Sequence, residues 1–99
     1  MEKTLFVPLK GIYYDKIKDG SQDCEIRPLN HRGWNSKNVH AGRDINFSRG
    51  YGKQDRTLKK ITKTHIGCSV SLGLIGIPKW HIDAVEGIYG KRDWLVAFV

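Results

Sequence analysis

The last six residues of the chain, Trp94 to Val99, are apolar at every position. Successive side chains of a β-strand point to opposite faces of the sheet, so a strand of this composition must be covered on both faces. Such a strand lies inside a sheet rather than at its edge. This segment therefore predicts a central β-strand, and the remaining elements must supply its neighbours.

Four other segments predict β-structure. Thr4 to Leu9 is an apolar run of strand length, and residues 22–27 and 44–48 alternate apolar and polar side chains as strands do. Residues 58–71 are rich in threonine, isoleucine and valine, which favour β-structure, and predict one long strand or two shorter ones.

Two helices and one long loop complete the expected α+β domain. Apolar residues recur at helical spacing over residues 11–20 and again between Pro78 and Gly90, with a glycine at the end of each segment. Residues 28–42 show no sustained period and predict a loop. About five strands and two short helices in residues 1–99 predict a single domain, a closed or nearly closed β-barrel that leaves no free strand edge.

Composition excludes several classes of protein and site. No apolar run approaches the roughly 20 residues that span a bilayer, and the N-terminus lacks the apolar stretch of a signal peptide, so we expect a cytoplasmic protein with no membrane partner. Cys24 and Cys68 predict two buried thiols without a disulfide. The four histidines form no zinc-binding motif, so we expect no metal and no other cofactor.

The excess positive charge is confined to the middle of the chain. The formal net charge is +7, and residues 1–26, 27–63 and 64–99 carry −1, +8 and 0 of it. A charge concentrated in one segment predicts one surface that binds a polyanion, such as RNA or a nucleotide. A solvated basic surface without a partner is the alternative interpretation.

Within the basic segment, a glycine-rich turn combines cations with an aromatic side chain. Arg49, Tyr51 and Lys53 surround two glycines, an arrangement suited to phosphate contacts and to stacking on an unpaired base. A plain β-turn with Tyr51 packed on the barrel is the alternative. Lys59 and Lys63 share strand parity, so they are the better paired candidates for sequence-independent phosphate contacts.

The remaining aromatic residues have predicted roles as well. Trp34 lies in the polar loop near two cations, which fits either a platform for base stacking or a plug at one end of the core. We expect Trp80 and Trp94 in the core. Tyr13 and Tyr14 begin a helix, and Tyr14 is the better candidate to reach a ligand cleft.

Five motifs occur in the order found in one known family. They are Tyr14 to Gly20, Glu25 to Arg27, Trp34 with Gly42, Phe47 to Gly52, and Val85 to Gly90. Together they resemble the ASCH domain family, the activating-signal-cointegrator homology domains, in the layout of its short bacterial or phage-type members. The resemblance implies a PUA-like β-barrel with a cleft lined by the strand of Glu25 and Arg27, and RNA-linked roles.

The chain also departs from that family. Members that hydrolyse acetylated cytidine resemble it around the turn before this strand, but they carry a lysine where Gln22 aligns and a threonine where Glu25 aligns. Glutamine supplies neither a cation nor a proton-transfer group, so we expect the lysine-dependent amide hydrolysis of those relatives to be absent. Glu25 remains a candidate acid or base, and an ion pair with Arg27 at the barrel mouth is its alternative role.

Three functions therefore compete. The first is an RNA- or nucleotide-binding module, for which the candidate ligand-binding residues are Gln22, Arg27, Trp34, Ser48, Arg49, Tyr51, Lys53, Lys59 and Lys63. The second is an enzyme, a ribonuclease or an amidohydrolase acting on a modified nucleoside, with Glu25 as catalytic acid or base. RNA cleavage would also draw on His40 or His65 and on Lys53. The third is a small protein-interaction or inhibitor module.

Overall fold

The computed structural model describes residues 3–52 and 54–99. Its helices and strands follow in the order β1 (Leu5–Leu9), α1 (Gly11–Asp19), β2 (Cys24–Pro28), β3 (Asp44–Arg49), β4 (Arg56–Lys60), β5 (Lys63–Gly67), α2 (Ser69–Leu74), α3 (Lys79–Tyr89) and β6 (Trp94–Phe98).

The strands form two three-stranded sheets. In the first, β3 lies between β1, to which it is parallel, and β4, to which it is antiparallel. In the second, β6 lies between β2 and β5 and is antiparallel to both. The prediction that the C-terminal segment forms a central strand is therefore confirmed.

Strand β6 is apolar on both faces because a separate core covers each face. Leu95 and Ala97 pack in the core shared with β1, α1 and β3, whereas Trp94 and Val96 pack in a second core with residues of β2, α2 and α3. All four side chains are fully buried. Burying a large apolar side chain contributes about 1.5–3 kcal/mol, so β6 stabilises both halves of the molecule.

The expected closed barrel is not formed by the described residues. The chain passes from β4 to β5 through Ile61 and Thr62, whose backbone N–H groups donate to Arg43 O and Phe98 O, at 2.9 and 2.8 Å. Arg43 directly precedes β3, and Phe98 is the last residue of β6, so the chain leaves the first sheet and joins the second at this point. The predicted β-rich segment thus becomes two short strands, one in each sheet.

The second helix of the chain was not predicted. Residues 69–71 fall within the predicted β-segment, yet Ser69–Leu74 forms α2, which buries Leu72 in the second core. The described residues therefore contain six strands and three helices rather than about five and two. The other two helices lie close to their predicted positions and end at Gly20 and Gly90, whose φ values are 84° and 79°.

Candidate functional site

One cavity of about 240 Å³ lies where β1, α1, β2 and α3 meet. Strand β2 is at the edge of its sheet, and three consecutive β2 residues border the cavity. The lining residues are Pro8, Leu9, Lys10, Tyr13, Gln22, Glu25, Ile26, Arg27, His81, Ala84, Val85, Ile88 and Tyr89. The volume lies below the roughly 300–1,000 Å³ of sites for drug-sized ligands, so the cavity suits one ring system rather than a polymer strand.

Glu25 is the buried carboxyl group of this cavity, with 6% of the residue exposed. Its Oε1 accepts a hydrogen bond from the Ile26 N–H at 3.0 Å. Its Oε2 lies 3.6 Å from Arg27 Nη2, an ion-pair distance too long for a hydrogen bond, and has no hydrogen-bond partner in the described part of the chain. Burial raises the pKa of Glu25, and this effect exceeds the lowering of its pKa by Arg27.

Gln22 contributes a second unsatisfied oxygen. Only 4% of the residue is exposed, and its Nε2 donates to Cys24 O at 2.9 Å, which fixes the orientation of the side-chain amide. Its Oε1 accepts no hydrogen bond from residues 3–52 or 54–99. An unsatisfied buried polar group costs about 1–3 kcal/mol, so these two oxygens beside one cavity are positions at which a water molecule or a ligand can complete the hydrogen bonding.

Arg27 is held at the cavity by contacts on two sides. Its Nη2 donates to Pro8 O at 3.1 Å, and its guanidinium lies 5.5 Å from the centre of the Trp34 ring. The expected proximity of Arg27 and Glu25 is therefore present, with Arg27 partly buried and Glu25 buried. At 3.6 Å, Arg27 Nη2 lies too far from Glu25 Oε2 to donate a hydrogen bond to it.

His81 forms part of the opposite wall and is uncharged at neutral pH. Burial lowers its pKa to about 4. Its ring stacks on Trp80 with 4.9 Å between the ring centres, and its Nδ1 lies 3.9 Å from Cys24 Sγ. Burial also raises the pKa of that thiol to about 12, so both groups are neutral. The positive charge near the cavity comes instead from Arg27 and the exposed Lys10.

The remaining walls are apolar or aromatic. Tyr13 comes from α1, and Val85, Ile88 and Tyr89 come from α3. The ring of Tyr89 makes an edge contact with Trp94, whose centre lies 6.2 Å away. The cavity thus combines rings and aliphatic groups with a few polar atoms, as is usual for sites that bind small heterocycles.

The structure brings together three of the predicted site residues. Gln22, Glu25 and Arg27 all line the cavity. Ser48 does not: it is buried, and its hydroxyl donates to Gly52 O at 3.2 Å. The residue of the tyrosine pair that lines the cavity is Tyr13, not Tyr14 as we expected.

The predicted basic turn lies apart from the cavity lining. Arg49 pairs with Asp15 of α1, and Tyr51 is 83% exposed in the turn after β3. Stacking of Tyr51 on a base therefore stays a prediction. The alternative, that Tyr51 packs on the core, is wrong. Lys53 lies outside the described residues.

Other predicted cations and histidines are dispersed. Lys59 is half-buried in β4 and Lys63 is exposed in β5, so the two belong to different sheets instead of sharing one strand face. The ammonium of Lys63 lies 4.8 Å from the Phe98 ring centre. His40 and His65 do not line the cavity, so neither is placed there with Glu25.

The structure decides between the two roles considered for Trp34 and corrects the expected burial of Trp80 and Cys68. Trp34 is the plug of the core: it is buried, and its Nε1 donates to Leu95 O at 2.9 Å. Trp80 is 42% exposed rather than in the core, because the residue after it on α3, His81, faces inward instead. Cys68 is exposed at the start of α2, so only Cys24 is a buried thiol.

Sequence reasoning missed the contribution of α3 to the cavity. His81, Ala84, Val85 and Ile88 line it, at the i, i+3, i+4 and i+7 positions of one helix face. This spacing was visible in the sequence, and a histidine on an otherwise apolar face was the available signal. The described residues contain no cluster of three or more potential metal-ligating side chains and no helix long and apolar enough to cross a membrane.

Comparisons with protein-family models, with curated proteins and with solved structures found no match for this chain.

Proposed function

We propose that the protein binds a nucleotide, either free or as one residue of single-stranded RNA, by taking its base into the cavity. The observation that carries this proposal is the pair of unsatisfied buried oxygens, Gln22 Oε1 and Glu25 Oε2, on residues that line a cavity large enough for one ring system. Bases carry ring nitrogens, amino groups and carbonyl groups that can complete such hydrogen bonds.

Two further features support a nucleotide over an uncharged apolar ligand. The aromatic and aliphatic walls offer contacts to the faces of a base, while Lys10 and Arg27 place positive charge beside the cavity, where a phosphate can be attracted. The motif order that resembles the ASCH family agrees with this proposal, and we propose that the chain is a member of that family with a PUA-like domain. The strands of the described residues form two sheets.

Filling the cavity tests the proposal without altering its polar groups. Ala84 lines the cavity on α3, whereas Gly87, on the same helix, has open space where a Cβ would lie. We expect Ala84→Phe to abolish the binding of uridine and cytidine monophosphates measured by isothermal titration calorimetry. The matched variant Gly87→Phe should bind as the unmodified protein does. Equal binding by both variants would place the site elsewhere, and no binding by the unmodified protein would refute the proposal.

The second candidate function is catalysis by Glu25. The observation that favours it is the raised pKa of this buried carboxyl, which suits a general acid. Gln22 supplies no nucleophile or cation, and neither of the histidines considered for RNA cleavage lines the cavity. We therefore expect no deacetylation of acetylated cytidine. Turnover near the median enzyme rate of about 10 per second would instead establish the enzyme.

A further inference from the structure

The proposed function leaves open how the cavity selects its ligand, and the two unsatisfied oxygens bear on this. Gln22 Oε1 is fixed as an acceptor, because the amide nitrogen of the same side chain donates to Cys24 O. A ligand must therefore offer it a hydrogen-bond donor, which on the edge of a base is an N–H. Glu25 Oε2 is the other open position, and its chemistry depends on whether the carboxyl group carries a proton.

The surroundings of Glu25 favour the neutral acid. The carboxyl is enclosed, which disfavours its charged form; the Ile26 N–H and Arg27 oppose this effect but do not outweigh it, and Oε2 accepts no hydrogen bond from the described residues. A carboxylate so placed would be a buried charge with an incomplete set of hydrogen bonds, which is costly. As an acid, Glu25 instead has an O–H to donate, and burial raises its pKa in that direction.

We propose that the cavity recognises a heterocycle edge with a hydrogen-bond acceptor next to an N–H donor, Glu25 donating as the neutral acid and Gln22 accepting. This inference rests on the proposed function. It adds the kind of heterocycle edge that the cavity recognises and the protonation state of Glu25 in which the ligand binds. Two edges of bases have this chemistry: the lactam O=C–N–H of uracil or guanine, and the amidine N=C–NH₂ of cytosine or adenine.

Binding then depends on pH through Glu25. The ligand binds the protonated form, so affinity is highest at low pH and falls as pH rises through the pKa of Glu25, by up to about tenfold for each pH unit above it. The ionisable groups that line the same cavity are Arg27 on its own strand, Lys10 before α1, Tyr13 on α1, and His81 and Tyr89 on α3. With its pKa lowered to about 4, His81 stays neutral over the range in which the effect is measured.

The test uses the dinucleotides UpU and CpC, whose single phosphodiester stays ionised, unlike a terminal phosphate with its pKa near 6. Affinities are measured by calorimetry between about pH 5.5 and 8, for the unmodified protein and for Glu25→Gln and Gln22→Met. Glu25→Gln keeps a side-chain donor and removes the titrating group. Gln22→Met keeps a side chain of similar length and removes the acceptor.

We expect the unmodified protein to bind at least one dinucleotide more weakly as pH rises, and Glu25→Gln to bind it with no pH dependence. Gln22→Met should lose about tenfold or more at every pH, because the N–H of the ligand is left without a partner. A preference for UpU identifies the lactam edge, and a preference for CpC the amidine edge. UpU carrying methyl groups on both N3 atoms should fail to bind if the lactam edge is read.

Two results would overturn this inference while leaving the proposed function intact. One is binding of a dinucleotide whose affinity in the unmodified protein is constant or rises with pH. The other is loss of binding in Glu25→Gln at every pH, in a variant that remains folded by circular dichroism, since this would show that the carboxylate form is required. If neither dinucleotide nor any mononucleotide binds at any pH, the proposed function fails together with the inference.

Discussion

Replacing His81 with phenylalanine should change how the stability of the protein depends on pH. The imidazole is buried against Trp80 and its pKa is lowered to about 4, against an ordinary value of 6.5. Between these values the unfolded chain binds a proton that the folded protein does not. The free energy of unfolding therefore falls as pH decreases through this window, and this contribution is fully present only above about pH 6.5.

The magnitude follows from the two pKa values. Each pH unit inside the window corresponds to about 1.4 kcal/mol, which gives about 2.5 kcal/mol between pH 7 and pH 4.5. Phenylalanine preserves an aromatic ring against Trp80 and has no proton to bind. Glu25 acts in the opposite direction, since its raised pKa favours the folded state on acidification, but it is present in both proteins and so cancels from their difference.

Urea denaturation followed by tryptophan fluorescence at several pH values measures the effect. The free energy of unfolding of the unmodified protein, minus that of His81→Phe, should decrease by about 2.5 kcal/mol from pH 7 to pH 4.5. A difference that stays constant within about 0.5 kcal/mol would show that His81 titrates alike in both states, and that it is not the enclosed neutral group of the cavity wall.

Three further predictions concern a buried tryptophan, a tyrosine hydrogen bond and the salt dependence of RNA binding. Trp34→Phe should lower the free energy of unfolding by about 1–3 kcal/mol or more, measured in urea, because the buried Leu95 carbonyl loses its donor. Tyr14→Phe removes a 2.8 Å hydrogen bond to a threonine hydroxyl of β4 and should cost about 1 kcal/mol. Lys10→Ala, at the cavity, should flatten the dependence of log affinity for single-stranded RNA on log salt by about 0.7, while Lys63→Ala leaves it unchanged. The reverse pattern would place the RNA on the basic segment that the charge distribution indicates.

Elements with a strong local pattern could be predicted from the sequence. Strand β6 is apolar at every position, and the helix that begins after Pro78 has both regular spacing and a terminal glycine, so each lies close to where we expected it. Helix α2 could not be found in this way. Its serine and valine residues favour other conformations, and burial of Leu72 against the second core stabilises the helix.

The candidate site was predictable only where its residues are close in sequence. Gln22, Glu25 and Arg27 lie on one strand and the turn before it, so strand periodicity and the family resemblance were enough to group them. The contribution of α3 depends on how that helix docks against β2. The same packing places Trp80 outward and His81 inward, a choice that composition alone does not determine.

The charge profile of the sequence did not locate the cavity, for a reason that concerns the path of the chain. Charge summed along the chain locates cations in sequence, but the chain reverses between β3 and β4 and changes sheets between β4 and β5. Residues that are neighbours in the charge profile are thereby separated in space. Arg49 is used in an ion pair with Asp15, and Lys59 and Lys63 lie in different sheets.

The most direct test of the central claim, that the cavity holds a base, is a set of intermolecular nuclear Overhauser effects in the complex with a uridine or cytidine nucleotide. We predict contacts from the H5 and H6 protons of the base to the side chains of Tyr13, Ile88 and Tyr89, which line the cavity on two different helices. The same contacts should be absent in Ala84→Phe. Effects confined to Tyr51 and the residues around it, with none to these three side chains, would contradict the account and place the base on the turn after β3.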